Sequence, residues 1–189
     1  YLPLLDKHSI DYISAKSDLA DLFAGDLPHF TKKRMYFCSA TSKIPITGLD
    51  FSTVQMIQTE QDCEKLYDLI HLIDEFGASK VTKEHFVEAK LKGLEMGCTI
   101  YIEEDGKIVS TAATTAETTK NAMIIAVATD PDYRQKGYAS LLMQYMMNEY
   151  INKNDKELCL FYNNPKAGAI YLRLGFEYMG TWDMFQRGN

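Results

Sequence analysis

Residues 123–129, Met-Ile-Ile-Ala-Val-Ala-Thr, form an apolar run closed by Asp130-Pro131, after which Arg134-Gln135-Lys136-Gly137-Tyr138-Ala139 leads into a second apolar run beginning near Ser140. The first run is apolar on both faces and short, as in a central strand covered on both sides. Proline cannot donate to a ladder, so Asp130-Pro131 ends it. In the second run Leu141, Leu142, Tyr145, Met146 and Tyr150 share faces at helical spacing, which predicts a helix over 139–151. A strand, a tight basic loop with a glycine and a helix start therefore follow one another. The first turn of a helix has N–H groups with no earlier carbonyl to bond, and these point, with the positive end of the helix dipole, into one small volume. Such a volume suits a phosphate or pyrophosphate.

The rest of the chain surrounds that unit with alternating helical and strand-like segments. Residues 1–50 are the hardest to read: a helix is expected around Ser17 to Phe23 with Ser17 as N-cap, a strand over Arg34 to Ala40, and a crossing loop over Thr41 to Asp50. Ser52 to Gln58 alternates as a strand. Thr59 to Phe76 places Cys63, Leu66, Leu69, Ile70 and Ile73 at helical spacing, with Gly77 as the stop. A second helix follows Thr82 and closes at Gly97. Cys98 to Glu103 and Lys107 to Thr115 flank Glu104-Asp105-Gly106, and an Asp-Gly step between strand-like runs is a hairpin signal. Leu158 to Tyr162 reads as a buried strand, Pro165 to Leu174 as a helix with Gly175 at its C′ position, and Phe176 to Phe185 as a last strand. The class is α/β with a mixed sheet.

Composition narrows the partners. At 189 residues and 46% hydrophobic the chain has material for one main domain. A formal charge of -6 argues against nucleic acid or an anionic membrane as the main partner. No apolar run approaches the roughly 20 residues that span a bilayer, and the first residues lack a signal-peptide pattern, so a cytoplasmic location is expected. The four cysteines are scattered, as buried reduced thiols are, and without CxxC or HxxxH spacing no metal is expected. The chain opens on Tyr1 rather than Met, which leaves a longer parent chain open.

Three motifs in order resemble the GNAT superfamily of acetyl-CoA-dependent N-acetyltransferases. Arg134-Gln-Lys-Gly137-Tyr-Ala139 is similar to its acyl-CoA loop, preceded by Val127-Ala-Thr129-Asp-Pro131. Asn164-Pro-Lys-Ala167-Gly-Ala-Ile-Tyr171 is similar to its Asn-x-x-Ala-x-x-x-Tyr, and Tyr171-Leu-Arg-Leu-Gly175-Phe176 to its Tyr-x-x-x-Gly-Phe. The resemblance implies a mostly antiparallel central sheet flanked by helices and splayed between the strand at 123–129 and the strand at 158–162. It implies a transferase domain over 51–189, with 1–50 as an extension or the remnant of a preceding domain.

It also implies roles. Backbone groups of Val127 and Thr129 would pair with the pantetheine amides, as in strand addition. Arg134, Gln135, Lys136, Gly137, Tyr138, Ala139 and Ser140 would hold the pyrophosphate, with Gly137 admitting close approach of the backbone. Asn164 would bond the pantetheine arm, and Tyr171 would be the general acid toward the CoA thiolate. For the base, Glu103, Glu104, Glu117 and Asp130 are candidates that no motif fixes; Glu117 is carried forward. The acceptor pocket would draw on Phe76, His85, Phe86, Tyr178, Trp182 and Phe185, with Asp74, Glu75 and Asp183 nearby to attract a cationic amine. His85 reads as a surface or core histidine rather than a base. The implied acceptor is a small-molecule or peptide amine, with direct transfer in a ternary complex and room for a homodimer. A non-catalytic acyl-CoA-binding or regulatory module of the same fold is the alternative. Nucleotide-binding enzymes are disfavoured because neither GxxxxGK[ST] nor a ribose-binding GxGxxG occurs.

Overall fold

The computed structural model describes residues 2–45, 47–73, 76 and 81–188. In chain order these form helix α1 (Leu2–Lys7), strand β1 (Tyr12–Lys16), helix α2 (Ser17–Ala20), strands β2 (Phe30–Ala40) and β3 (Val54–Met56), and helices α3 (Glu60–His71) and α4 (Lys83–Lys92). Strands β4 (Thr99–Glu104), β5 (Lys107–Thr115) and β6 (Asn121–Thr129) precede helix α5 (Tyr138–Met147), strand β7 (Glu157–Tyr162), helix α6 (Pro165–Arg173) and strand β8 (Glu177–Arg187). The pairings set out below are all antiparallel, as the expected mixed α/β class with a mostly antiparallel sheet requires. The chain divides into two compact units, Tyr1–Ser39 with Leu160–Asn189, and Ala40–Cys159. No described helix is long and apolar enough to cross a membrane.

In the first unit β8 is flanked by β1, from Tyr12↔Gln186 to Lys16↔Trp182, and by β2, from Phe30↔Arg187 to Ser39↔Glu177. The β2 register slips between Phe37 and Cys38, opposite Gly180, whose φ of 145° glycine alone adopts readily. Phe185 is buried with Ala20 and Leu27, and its ring lies 5.8 Å from that of Phe23. Phe185 is therefore core, not pocket wall. Ser17 is not the N-cap of α2: Lys16 holds that position and makes no side-chain cap, while Ser17 is buried inside the first turn. The helix stops at Ala20 rather than Phe23.

Asp183 is fully buried on β8 directly opposite Arg34 on β2. It accepts from Arg34 Nε and Nη2, both at 2.8 Å, and pairs with Lys32 Nζ at 2.8 Å. The bidentate fork and the second cation compensate a carboxylate that would otherwise be costly to bury. Asp183 is thus committed and offers no free charge to an amine.

In the second unit β6, β5, β4 and β3 pair in sequence as a meander. Asp105 and Gly106 both take positive φ, 50° and 80°, which matches a two-residue primed turn joining β4 to β5. Thr59 caps α3 in a reciprocal box with Asp62, and the buried Cys63, Leu66 and Leu69 pack with Tyr101 and Ile108. The helix ends at His71, with Leu72 as its C-cap, several residues before the expected stop. Gly77, Asp74 and Glu75 lie outside the described residues. Helix α4 is capped by the Thr82 hydroxyl, which accepts from His85 N–H. The β6 run is not covered on both sides as expected, since Ile125 is 40% exposed.

Replacing Asp183 by Asn should remove about 1–3 kcal/mol of stability, the scale of a lost charged hydrogen-bonding partner. Hydrogen bonds from Arg34, opposed by burial and joined by Lys32, hold the Asp183 carboxyl well below its ordinary range. Its folded value is depressed, so this stabilisation is present above the unfolded value near 3.9 and fades as pH falls below it. Urea melts from neutral pH down to about pH 2 should show the gap between wild type and D183N narrowing below roughly pH 4. A gap constant with pH would mean that Asp183 does not titrate this way.

Candidate functional site

The strand-to-helix connection is built by local rules. Asp130 accepts from Asp132 N–H at 2.9 Å and caps a short 3-10 turn over Pro131–Tyr133, where proline occupies the position that needs no N–H donor. Its own N–H bonds Val109 O at 2.9 Å, closing the β5–β6 ladder. Gln135 and Gly137 then adopt left-handed backbone, φ 67° and 88°, with Lys136 between them on the other side of φ. Alternation of hands is the backbone pattern by which successive N–H groups can turn toward one point. Gly137 is the N-cap of α5, its carbonyl accepting from Leu141 N–H at 3.0 Å, and no side chain caps the turn.

Charge and anchoring surround this loop. Arg134 Nε donates to Thr129 O at 3.3 Å, and Lys136 Nζ stands 4.4 Å from the Tyr133 ring centroid. Residues 134–137 are exposed, whereas Tyr138, Ala139 and Ser140 are half-buried. The Tyr138 hydroxyl donates to Glu104 at the hairpin tip, which raises the phenol's pKa and ties the helix start to the β4–β5 hairpin. Thr129 is fixed from the side by Ser110, whose hydroxyl is 2.9 Å from Thr129 Oγ1 and donates to Ala128 O. The structure thus brings Val127, Thr129 and residues 134–140 together on one strand end, one loop and one helix start.

Sequence reasoning missed one feature of this strand. Opposite Thr111 and Ala113 on β5 stand Ala128 and Ile125, so β6 carries an extra residue, and Ala126 there takes φ 52°. A left-handed alanine is strained by the order of 1–3 kcal/mol and persists where the surroundings impose it. No glycine marked the bulge, so no signal was available. It sits immediately before Val127 and reorients the strand backbone there.

The other expected site residues lie in the first unit. Asn164 caps α6, accepting from Lys166 N–H at 3.0 Å, with Pro165 at the first helical position. Tyr171 is buried, 7% exposed, and burial alone pushes its phenol up to about 12. Gly175, φ 96°, closes the helix: Phe176 N–H bonds Tyr171 O and Gly175 N–H bonds Leu172 O, the paired bonds of a Schellman end. The Phe176 ring stands edge-on to that of Tyr171. Gly168 faces Tyr162, which stacks on Tyr36 at 5.2 Å and reaches Tyr171 at 5.7 Å.

Glu117 is not brought to the loop. In the β5–β6 register Thr115↔Met123 is one end and Ser110↔Thr129 the other, roughly 17 Å apart along β5 at ~3.3 Å per residue. Glu117 follows the first of these ends. Its Oε1 accepts from Thr114 Oγ1 at 2.6 Å and Tyr150 Oη at 2.5 Å, and its Oε2 is 3.5 Å from Lys156 Nζ. Burial pushes its carboxyl up, but these hydrogen bonds and the lysine charge outweigh that and hold it below its usual range. The other acids are engaged too: Glu103 pairs with Lys65 at 2.7 Å, Glu104 with Tyr138, and Asp130 caps the 3-10 turn. Of the expected pocket residues, Phe86 packs on Tyr67, Phe76 and Tyr178 are partly exposed, and Trp182 donates to Ser14 Oγ at 2.6 Å. Among the described residues no group of three or more His, Cys, Asp and Glu could hold a metal ion.

The model of the acetyltransferase (GNAT) family matches residues 63–176. The fold is similar to that of a GCN5-related N-acetyltransferase from Kribbella flavida, 18% identical with a TM-score of 0.65, covering 94% of this chain and 68% of that one. It is similar to glucosamine-6-phosphate N-acetyltransferase from Arabidopsis thaliana, at 16% identity and a TM-score of 0.57 over 67% of this chain and 92% of that one. A predicted acetyltransferase from Clostridium acetobutylicum, solved with acetyl-CoA, matches at 19% identity and a TM-score of 0.53, covering 66% of this chain and 90% of that one. At these identities the likeness to the solved structures is one of fold.

A Cβ added at Gly168 would lie 2.2 Å from Cε2 of Tyr162. That ring is confined between Tyr36 and Tyr171, so Gly168→Ala should cost about 1–3 kcal/mol by overpacking. Thermal melts read the loss, and near-ultraviolet circular dichroism of the tyrosines reads the ring displacement. An unchanged melt and spectrum would mean that the ring yields freely.

Proposed function

Since the chain belongs to the GNAT acetyltransferase family, we propose that it transfers the acetyl group of acetyl-CoA to a primary amine by direct attack in a ternary complex. The observation that carries this reading is the pair of left-handed residues, Gln135 and Gly137, at the uncapped start of α5. Loop and helix terminus together suit a pyrophosphate, and Arg134 and Lys136 add positive charge. A Cβ at Gly137 would meet no protein atom within 4 Å, so the space in front of it is open to a cofactor. Residues 51–189 would form the transferase domain, and 1–50 an extension whose strands β1 and β2 pair with β8.

Acetyl-CoA, when bound, supplies a thioester carbonyl carbon at which the acceptor nitrogen forms a C–N bond as the C–S bond breaks. Gln135 to Ser140 would hold the phosphates and Asn164 the pantetheine arm. Backbone groups of Val127 and Thr129 would align that arm along β6 beyond the bulge at Ala126. Tyr171 keeps its proton at neutral pH, because burial raises its pKa to about 12, and would give it to the departing sulfur. Glu103, Glu104, Glu117 and Asp130 are already engaged, so we withdraw Glu117 as base and assign the amine proton to solvent water. The same engagement favours the second reading, a module that binds acyl-CoA without turnover.

Free-thiol release with acetyl-CoA and a panel of primary amines separates the two. Tyr171→Phe should lower kcat by about 10²–10⁴-fold with CoA affinity unchanged. If CoA binds and no amine gives turnover above that variant, the catalytic reading fails. Asparagine tolerates left-handed backbone, so Gly137→Asn keeps the loop conformation while adding a side chain where the phosphates would sit. Its CoA affinity by calorimetry should drop at least about tenfold, the equivalent of ~1.4 kcal/mol. Unchanged affinity would remove the loop from the site.

A further inference from the structure

A cavity of about 300 Å³ opens in the second unit where α5 ends, among β3, the start of β4 and the segment leading to β7. Helix α5 leaves α-geometry there and runs on as a π-helical turn over Asn148–Asn152. Such turns insert a residue and re-aim side chains, often at functional sites. Here the turn brings Glu149 and Tyr150 to the cavity wall. From Tyr138 to Tyr150 the helix rises roughly 18 Å, at ~1.5 Å per residue, so the cavity is separate from the loop at residues 134–139.

Three charged side chains line it, and each is only partly used. Glu117 commits Oε1 to Thr114 and Tyr150, while its Oε2 has Lys156 Nζ at 3.5 Å, beyond a good hydrogen bond. Glu149 accepts through Oε1 from Lys153 Nζ at 2.6 Å and from Asn148 Nδ2 at 3.2 Å, which leaves Oε2 to a further donor. Lys156 Nζ has, besides that long pair with Glu117, the Tyr150 ring centroid at 5.6 Å. Met56 and the Tyr145 ring supply the apolar part of the wall. A bare anion would meet two carboxylates and a bare cation would meet Lys156. A ligand with both charges satisfies all three groups: its ammonium faces the carboxylates and its carboxylate faces the lysine.

From this complementarity we propose that the cavity is a binding site for a small zwitterion, a free α-amino acid whose side chain packs on Met56 and Tyr145. It does not depend on the acetyl-transfer reading. The standard free L-amino acids at millimolar concentration, tested against the full chain by thermal shift and then calorimetry, should include at least one binder. The amide and the N-acetyl derivative of the best binder each lack one charge and should bind at least about tenfold more weakly. Glu149→Gln and Lys156→Gln should each weaken the parent amino acid by about the same factor, with each variant's own melt checking its fold. Absence of any binder, blocked derivatives that bind as well as the parent, or full affinity in both variants would each overturn the proposal.

Discussion

Strand β5 is buried at every residue from Ile108 to Thr114, and Ser110, Thr111 and Thr114 bring hydroxyls into that interior. A buried hydroxyl without a partner is expensive, so each fixes the neighbour that satisfies it. Thr111 donates to Ile100 O and binds β4. Ser110 meets Ala128 O and Thr129 at the point where β6 gives way to the basic loop. Thr114 meets Glu117 and Tyr150 at the far end, and its Oγ1 accepts from Cys98 N–H. The two ends of the unit, one at the basic loop and one at the cavity, are held in place by the same strand. Gly97 belongs to this constraint as well, since a Cβ there would lie 2.3 Å from Thr114 O.

Much of this was legible because local chemistry and tertiary role coincide. Asp130-Pro131 stops a strand for reasons internal to two residues, and Asp105-Gly106 makes a hairpin for the same kind of reason. The Tyr171 to Phe176 motif is similarly self-contained. Gly175 takes the left-handed position, Phe176 reaches back to Tyr171 through backbone and ring, and the tyrosine is fixed by its own helix end.

What was not legible depended on partners distant in sequence. The bulge at Ala126 is imposed on an alanine that gives no local sign of it. Asp183 looks like a free acid until Arg34 and Lys32, some 150 positions earlier, are paired across β2 and β8. Glu117 looked equivalent to three other carboxylates, and only the β5–β6 register and Tyr150 set it at the wrong end of the strands. Within residues 1–50 the later part of β2 was legible as the strand-like run Arg34 to Ala40, whereas β1 shows mainly in its pairing with β8.

Trp182 is the only tryptophan in the chain, and it sits on β8 with its indole N–H on Ser14 and its ring near Phe37 and Phe161. All four of those residues belong to the first compact unit. Intrinsic tryptophan fluorescence is therefore a reporter placed in that unit. Comparing it with a whole-chain signal such as far-ultraviolet circular dichroism distinguishes a molecule that melts as one body from one whose halves let go at different temperatures.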